Sequence, residues 1–145
     1  MTKLLVSLAG PLALTLALTT GAALADERNG QLHVTKECSQ DKGAAGDHCT
    51  ITSSNLAEIK VGSKVFYDQA AGIPTGLLDS NVVLDAGNGN RAVGRCTLDL
   101  TTGLGLCTFS DGTGQFARFT ARVDVDCRSG CRWDGTYSFR PEPER

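Results

Sequence analysis

The sequence predicts an all-β protein, an eight-stranded antiparallel barrel stabilised by disulfides, with a two-sheet β-sandwich as the alternative. Three observations lead there. From Val82 onward apolar residues recur at every second position, the period of a half-buried strand. Glycines fall where that alternation breaks, as turns between strands require. Six cysteines form an even set behind a leader of export type, which reads as three disulfides. About eight short strands in about 120 residues suit a closed barrel, because closure removes unpaired edges.

Residues 1–25 are expected to be a cleaved signal peptide. They hold one basic residue, Lys3, an apolar run, and Ala23-Leu24-Ala25 just before Asp26. A membrane anchor is the competing reading. Gly10, Pro11 and several threonines interrupt the run, and no basic flank comes after it. The mature chain is therefore expected in the periplasm or outside the cell, with no membrane segment. A lipid anchor is not expected, since the first cysteine after the cut is Cys38. What remains has room for one domain and one core. The chain carries 14 basic and 16 acidic residues, and losing Lys3 leaves a net charge of about −3. Such a scattered, mildly acidic balance argues against nucleic acid, whose binding needs a concentrated positive field.

Leu32 and Val34 mark a short strand in an N-terminal segment, 26–46; the barrel proper is expected over 47–140, with a solvated tail at 141–145. Cys49 to Ser53 and Val65 to Ala70 supply two further strands. Between them "SSNLAEIKVG" reads as one helical turn, with Asn55 as its cap, Glu58 three residues on, and Gly62 at its end. Val82-Val83-Leu84 runs into "DAGNGN", where Asn88-Gly89 tolerates the positive φ of a hairpin. Arg91 to Leu100 and Leu104 to Ser110 are strands joined at Thr101-Thr102-Gly103. Gln115 to Val125 reads as one long strand with Ala117, Phe119, Ala121, Val123 and Val125 on a common face. Arg132 to Arg140 closes the set, with Trp133, Gly135, Tyr137 and Phe139 alternating. Gly94, Gly105 and Gly135 fall inside strands, where a glycine marks a bend or a close backbone approach.

The segment "GTGQFA", 112–117, has the spacing of a dinucleotide loop, but "QFARFTARVDV" continues the chain with period two and not a helical period. It reads as a turn, and no cofactor is expected. The hairpin at 101–102 places Cys96 directly opposite Cys107, within disulfide reach. Cys127 and Cys131 flank the turn "RSG" and can close it locally; Cys38–Cys49 is then left by elimination. A metal site built on Cys127, Cys131, His48 and Cys49 lacks the usual zinc spacings, and none is expected.

The segments "CTITSSNL", "GRCTLDLTTGLGLCTFSDGTGQF", "ARVDV" and "WDGTYSF" resemble bacterial proteins with an allene oxide cyclase-like barrel domain, fold relatives of plant allene oxide cyclases and of dirigent proteins. The resemblance covers roughly residues 47–140. It implies an eight-stranded, calycin-like antiparallel barrel with a central cavity. It also implies an apolar or phenolic ligand, since allene oxide cyclases isomerise a fatty-acid epoxide and dirigent proteins steer phenol coupling. No catalytic carboxylate or asparagine of those families maps onto a matching position. "CRSGCRWDG" departs from the cysteine-free loop expected there.

Phe119, Trp133, Tyr137, Arg118 and Arg122 are the candidate barrel-lining residues. The aromatic three would supply apolar surface, or simply core; the arginines would face solvent or a polar cavity. Asp124, Asp126 and Asp134 with Arg122 and Arg132 read as an exposed, charge-paired face. His33 and His48 read as surface residues, and Ser53 and Ser54 as helix caps. The leading functional expectation is binding of a small apolar or phenolic molecule, or of a partner, without catalysis. An isomerase or cyclase acting on a lipid-like or phenolic substrate is the second, and a filled barrel with no ligand the third. An enzyme needs a cavity and a titratable group inside it, a binder needs only the cavity, and a structural protein needs neither. The oligomeric state is left open.

Overall fold

A computed structural model describes residues 27–72 and 76–143. The expected leader, residues 1–25, and the last two residues of the tail lie outside the described residues. Eight strands succeed one another around a closed antiparallel barrel, each paired with its sequence neighbours: β1 (Arg28–Glu37), β2 (His48–Ser54), β3 (Lys64–Tyr67), β4 (Leu77–Asp85), β5 (Arg91–Asp99), β6 (Leu104–Thr113), β7 (Phe119–Asp126) and β8 (Cys131–Phe139). β1 closes the ring against β8 without a break in register, from Arg28 opposite Phe139 to Lys36 opposite Cys131. The sandwich is thereby excluded.

Side-chain alternation does the sorting. Along β7, Phe119, Ala121, Val123 and Val125 are buried, while Arg122 and Asp124 are exposed. A strand with one face inside and one in water shows this period of two. The interior is filled by a run of aromatic rings: Phe109 lies 5.5 Å from Trp133 and 6.1 Å from Phe119, and Phe119 in turn lies 5.3 Å from Phe116 and 5.1 Å from Phe139. Each such ring, once buried, contributes roughly 1.5–3 kcal/mol through lost contact with water.

Three disulfides pair as the sequence indicates, Cys38–Cys49, Cys96–Cys107 and Cys127–Cys131. Cys96 stands opposite Cys107 in the β5–β6 ladder, and both sulfurs face the core. Such pairing belongs to an oxidising, extracytoplasmic environment.

The two ends of the barrel differ. At one end the connection between β2 and β3 carries Leu56 and Ile59 into the core, and a 3-10 turn, Gly114–Phe116, adds the fully buried Phe116. At the other end the chain passes through the β1–β2, β3–β4, β5–β6 and β7–β8 connections. Cys38–Cys49 and Cys127–Cys131 both sit there, clamping the neighbouring strands β1–β2 and the β7–β8 loop.

Four expectations change. The N-terminal strand, counted from sequence as short, is ten residues long and pairs along the barrel as a full stave. No helical turn forms at 53–62. Asn55 instead accepts a hydrogen bond from the His33 amide (2.8 Å) and donates to the Gln31 carbonyl (2.9 Å), and Glu58 pairs with Arg28 at 2.5 Å. These tertiary partners on β1 take the groups that a local cap would have used. Ser53 and Ser54 are accordingly not helix caps. Ser53 meets Thr35 Oγ1 at 2.6 Å, and Ser54 Oγ bonds within the turn to Leu56. Finally, Gln115–Val125 is not one strand: Gly114 at φ +60° starts the 3-10 turn and Arg118 at φ +62° ends the bend, so Ala117 is exposed and Phe116 turns inward.

Candidate functional site

Continuing the alternation of β1 past Leu32 and Val34 brings Lys36 to the inner face. It is 7% exposed, and its Nζ lies 2.5 Å from the Tyr67 hydroxyl, 4.8 Å from the centroid of the Trp133 ring and 5.3 Å from that of Tyr67. Tyr67 reaches the same place by the same parity, two residues after Val65 on β3. The β1–β2 ladder breaks at this point: Thr35 pairs with Ser53 but Lys36 with Ile51, leaving Thr52 as an extra residue. Bulges of this kind at barrel rims re-aim side chains.

Lys36 and Tyr67 line a cavity of about 400 Å³ at the disulfide-clamped end. Its apolar lining comes from Ala71, Leu78, Leu98, Leu100 and the two disulfides Cys38–Cys49 and Cys127–Cys131; Asp41 and Lys42 add charge. Leu77, Leu100 and Leu104, each more than two-fifths exposed, lie at the same end of their strands or just beyond it.

Electrostatics set this pair apart. Burial strips water from the Lys36 ammonium and lowers its pKa from 10.5 to about 7, against a smaller raising effect of Asp41. Burial, aided by Asp41, pushes the Tyr67 hydroxyl well above the ordinary phenol range. Around neutral pH the site therefore holds a phenol that keeps its proton and an amine that exchanges one. The pair can donate hydrogen bonds, accept a proton, or present a nitrogen lone pair. Trp133 Nε1, buried beneath, meets no acceptor among the described residues.

Of the residues singled out from sequence, only Trp133 reaches this place, with its ring beside the Lys36 ammonium. Phe119 and Trp133 are core, and Tyr137 is a half-buried neighbour of Phe139 at 6.0 Å; none of them lines the cavity. Arg122 points to solvent from β7. Arg118 lies on the outer bend, where its Nε donates to the Arg140 carbonyl at 3.1 Å. Neither arginine lines the cavity: strand parity puts Arg122 outside, and Arg118, at positive φ, ends the bend that succeeds the 3-10 turn. Asp126 of β7 and Asp134 of β8 are charge-paired on the outer face. Arg132 reaches Asp126 at 2.9 Å and Asp134 at 3.2 Å, and hydrogen bonds from Arg128 hold the Asp126 carboxyl well below the usual carboxylate range. His33 joins this face through Asp134 at 2.8 Å.

Lys36 was legible in principle. The pattern Leu32-x-Val34-x-Lys36 places it inside as soon as β1 is allowed to run its full length. A search of protein-family models, curated proteins and solved structures finds no match to this chain.

Proposed function

We propose that this protein is an exported binding barrel that takes a small, mainly apolar molecule into its disulfide-clamped end, with one oxygen of that molecule facing Lys36 and Tyr67. The single observation behind this reading is the cavity of about 400 Å³ in which a buried amine and a buried phenol meet among apolar side chains. Its size falls within the range of small-molecule sites, and a few convergent polar groups in apolar surroundings are what orients a ligand. Asp41 lines the same cavity and its field reaches both Lys36 and Tyr67. Lys42, of opposite charge, lines the cavity too, so the lining presents no one-sided field to a charged head, and the ligand head that fits best is a neutral carbonyl, hydroxyl or phenol. The leader and the three disulfides support export to the periplasm or beyond. The resemblance of "FSDGTGQF" and "WDGTYSF" to allene oxide cyclase-like barrels supports the same ligand class, lipid-like or phenolic.

A second reading, an isomerase or cyclase on such a substrate, is favoured by one feature. Lys36, lowered to about 7, is a titratable group inside the cavity, where a general base or acid works best near the operating pH.

Native mass spectrometry of the protein, purified without denaturant, beside a denatured and solvent-extracted sample tests the binding reading. A discrete added mass that leaves on denaturation is expected. If no added mass is seen and added hexanamide (a neutral carbonyl with an apolar tail) does not bind, the barrel is a ligand-free interaction protein.

A further inference from the structure

Lys36 differs from the other described lysines. Lys42, Lys60 and Lys64 are not buried, whereas Lys36 is buried and makes no ion pair among the described residues. Its hydrogen bond goes to a phenol, and the two nearest rings are Tyr67 and Trp133. A carboxylate at contact distance would hold the nitrogen as a cation. A phenol and two ring faces hold it less firmly, the ring faces by cation–π attraction that burial outweighs, and a desolvated lysine of this type is a nucleophile toward carbonyl carbon.

We propose that Lys36 captures a small aldehyde or ketone entering the cavity, forming a reversible imine, with Tyr67 handling the protons. This rests on the reading of the cavity as a ligand site and names the reactive class it would take. The Nζ lone pair attacks the carbonyl carbon, the C=O π pair moves to oxygen, and a nitrogen-bound proton passes to that oxygen to give a carbinolamine. The C–O bond then breaks as the nitrogen pair forms C=N. Tyr67 donates a proton to the departing hydroxyl, which leaves as water, and recovers one from the iminium nitrogen. Nothing is oxidised or reduced, and the products are the imine and one water. Hydrolysis runs the same steps backward. The 2.5 Å contact between Nζ and the phenol oxygen places the proton carrier at the reacting nitrogen. The other charged groups facing this centre are Asp41 and Lys42, both from the β1–β2 connection.

The test uses the wild-type protein, all three disulfides intact, incubated at neutral pH with hexanal and cyanoborohydride, a reductant mild enough to spare disulfides. Peptide mapping then locates the hexyl group. Lys36 is expected to be alkylated roughly tenfold faster than Lys42, Lys60 or Lys64, because the cavity holds the aldehyde beside its amine. Lys36→Met abolishes that fast phase. Tyr67→Phe slows it several-fold while the label still goes to Lys36, an outcome that a purely structural tyrosine would not give. Labelling confined to the exposed lysines and the amino terminus overturns the proposal. If hexanamide still binds in that case, the ligand cavity stands and only the imine falls. If hexanamide does not bind either, both fall.

Discussion

Lys36 enters the interior against the cost of desolvating its charge, and that cost makes it a reporter. Its folded pKa of about 7 lies below the ordinary 10.5, so between these values the unfolded chain binds a proton that the folded chain does not. Folding stability therefore rises with pH from about 7 towards 10.5; below about 7 the penalty is complete, and above 10.5 it has gone. Tyr67 works the other way. Its raised pKa means that above an ordinary phenol pKa the unfolded chain loses a proton the folded chain keeps, and stability falls. The clean window runs from about pH 7 to about pH 10. Chemical denaturation across it should show stability climbing by on the order of a few kcal/mol, and Lys36→Met should flatten the climb. A wild-type profile as flat as that of the variant contradicts a buried Lys36. Tyr67→Phe removes the hydroxyl from the Lys36 nitrogen and should cost about 1–2 kcal/mol at neutral pH, measured by the same denaturation.

Among the elements, the disulfides and the glycines bear the sharpest expectations. Cys96–Cys107 is buried between β5 and β6, whereas both cysteines of Cys127–Cys131 are half-exposed at the rim. Titration with a reductant, with alkylation read by mass, should open Cys127–Cys131 first, Cys38–Cys49 next and Cys96–Cys107 last, since only global opening exposes the last. Gly135 on β8 and Gly105 on β6 leave no space for a side chain: a Cβ there would lie 2.0 Å from the carbonyl oxygen of Arg122 and of Thr97 respectively. Gly135→Ala should cost on the order of 3 kcal/mol or prevent folding, seen as a lowered denaturation midpoint. Both glycines, and the Cys96–Cys107 bridge, could be read from sequence because period-two alternation fixes register across a short hairpin. β1 was harder. Its outer residues are mixed, and its last inward position is a lysine, so a search for apolar alternation stops at Val34 and misses the site. The 53–62 connection misled for a different reason. Asn55 and Glu58 have the spacing of a local cap, but their partners are the backbone and Arg28 of β1, more than twenty residues away.

At the scale of the whole molecule, an up-and-down barrel of this size need hold no cavity, and most of this one does not. Phe116, Leu56 and Ile59 fill one end and the aromatic run fills the middle. The cavity that holds the polar pair lies at the end where two disulfides hold the loops, and there the inward positions of β1 and β3 become Lys36 and Tyr67. Rigid strands thus place a polar pair with little freedom to move, which favours orientation of a ligand at small entropic cost. The number of strands, their order and the three bridges were legible in the sequence. The position of the cavity was not, because it depends on which end the connections cover, and strand periodicity carries no information about that. The most direct test is a two-dimensional amide NMR titration of the 15N-labelled protein with hexanamide. Saturable shifts should gather on Lys36, Cys38, Tyr67, Leu98 and Cys127. Shifts confined to the opposite end, around Leu56, Ile59 and Phe116, or none up to the solubility limit, would contradict the assignment of the ligand site.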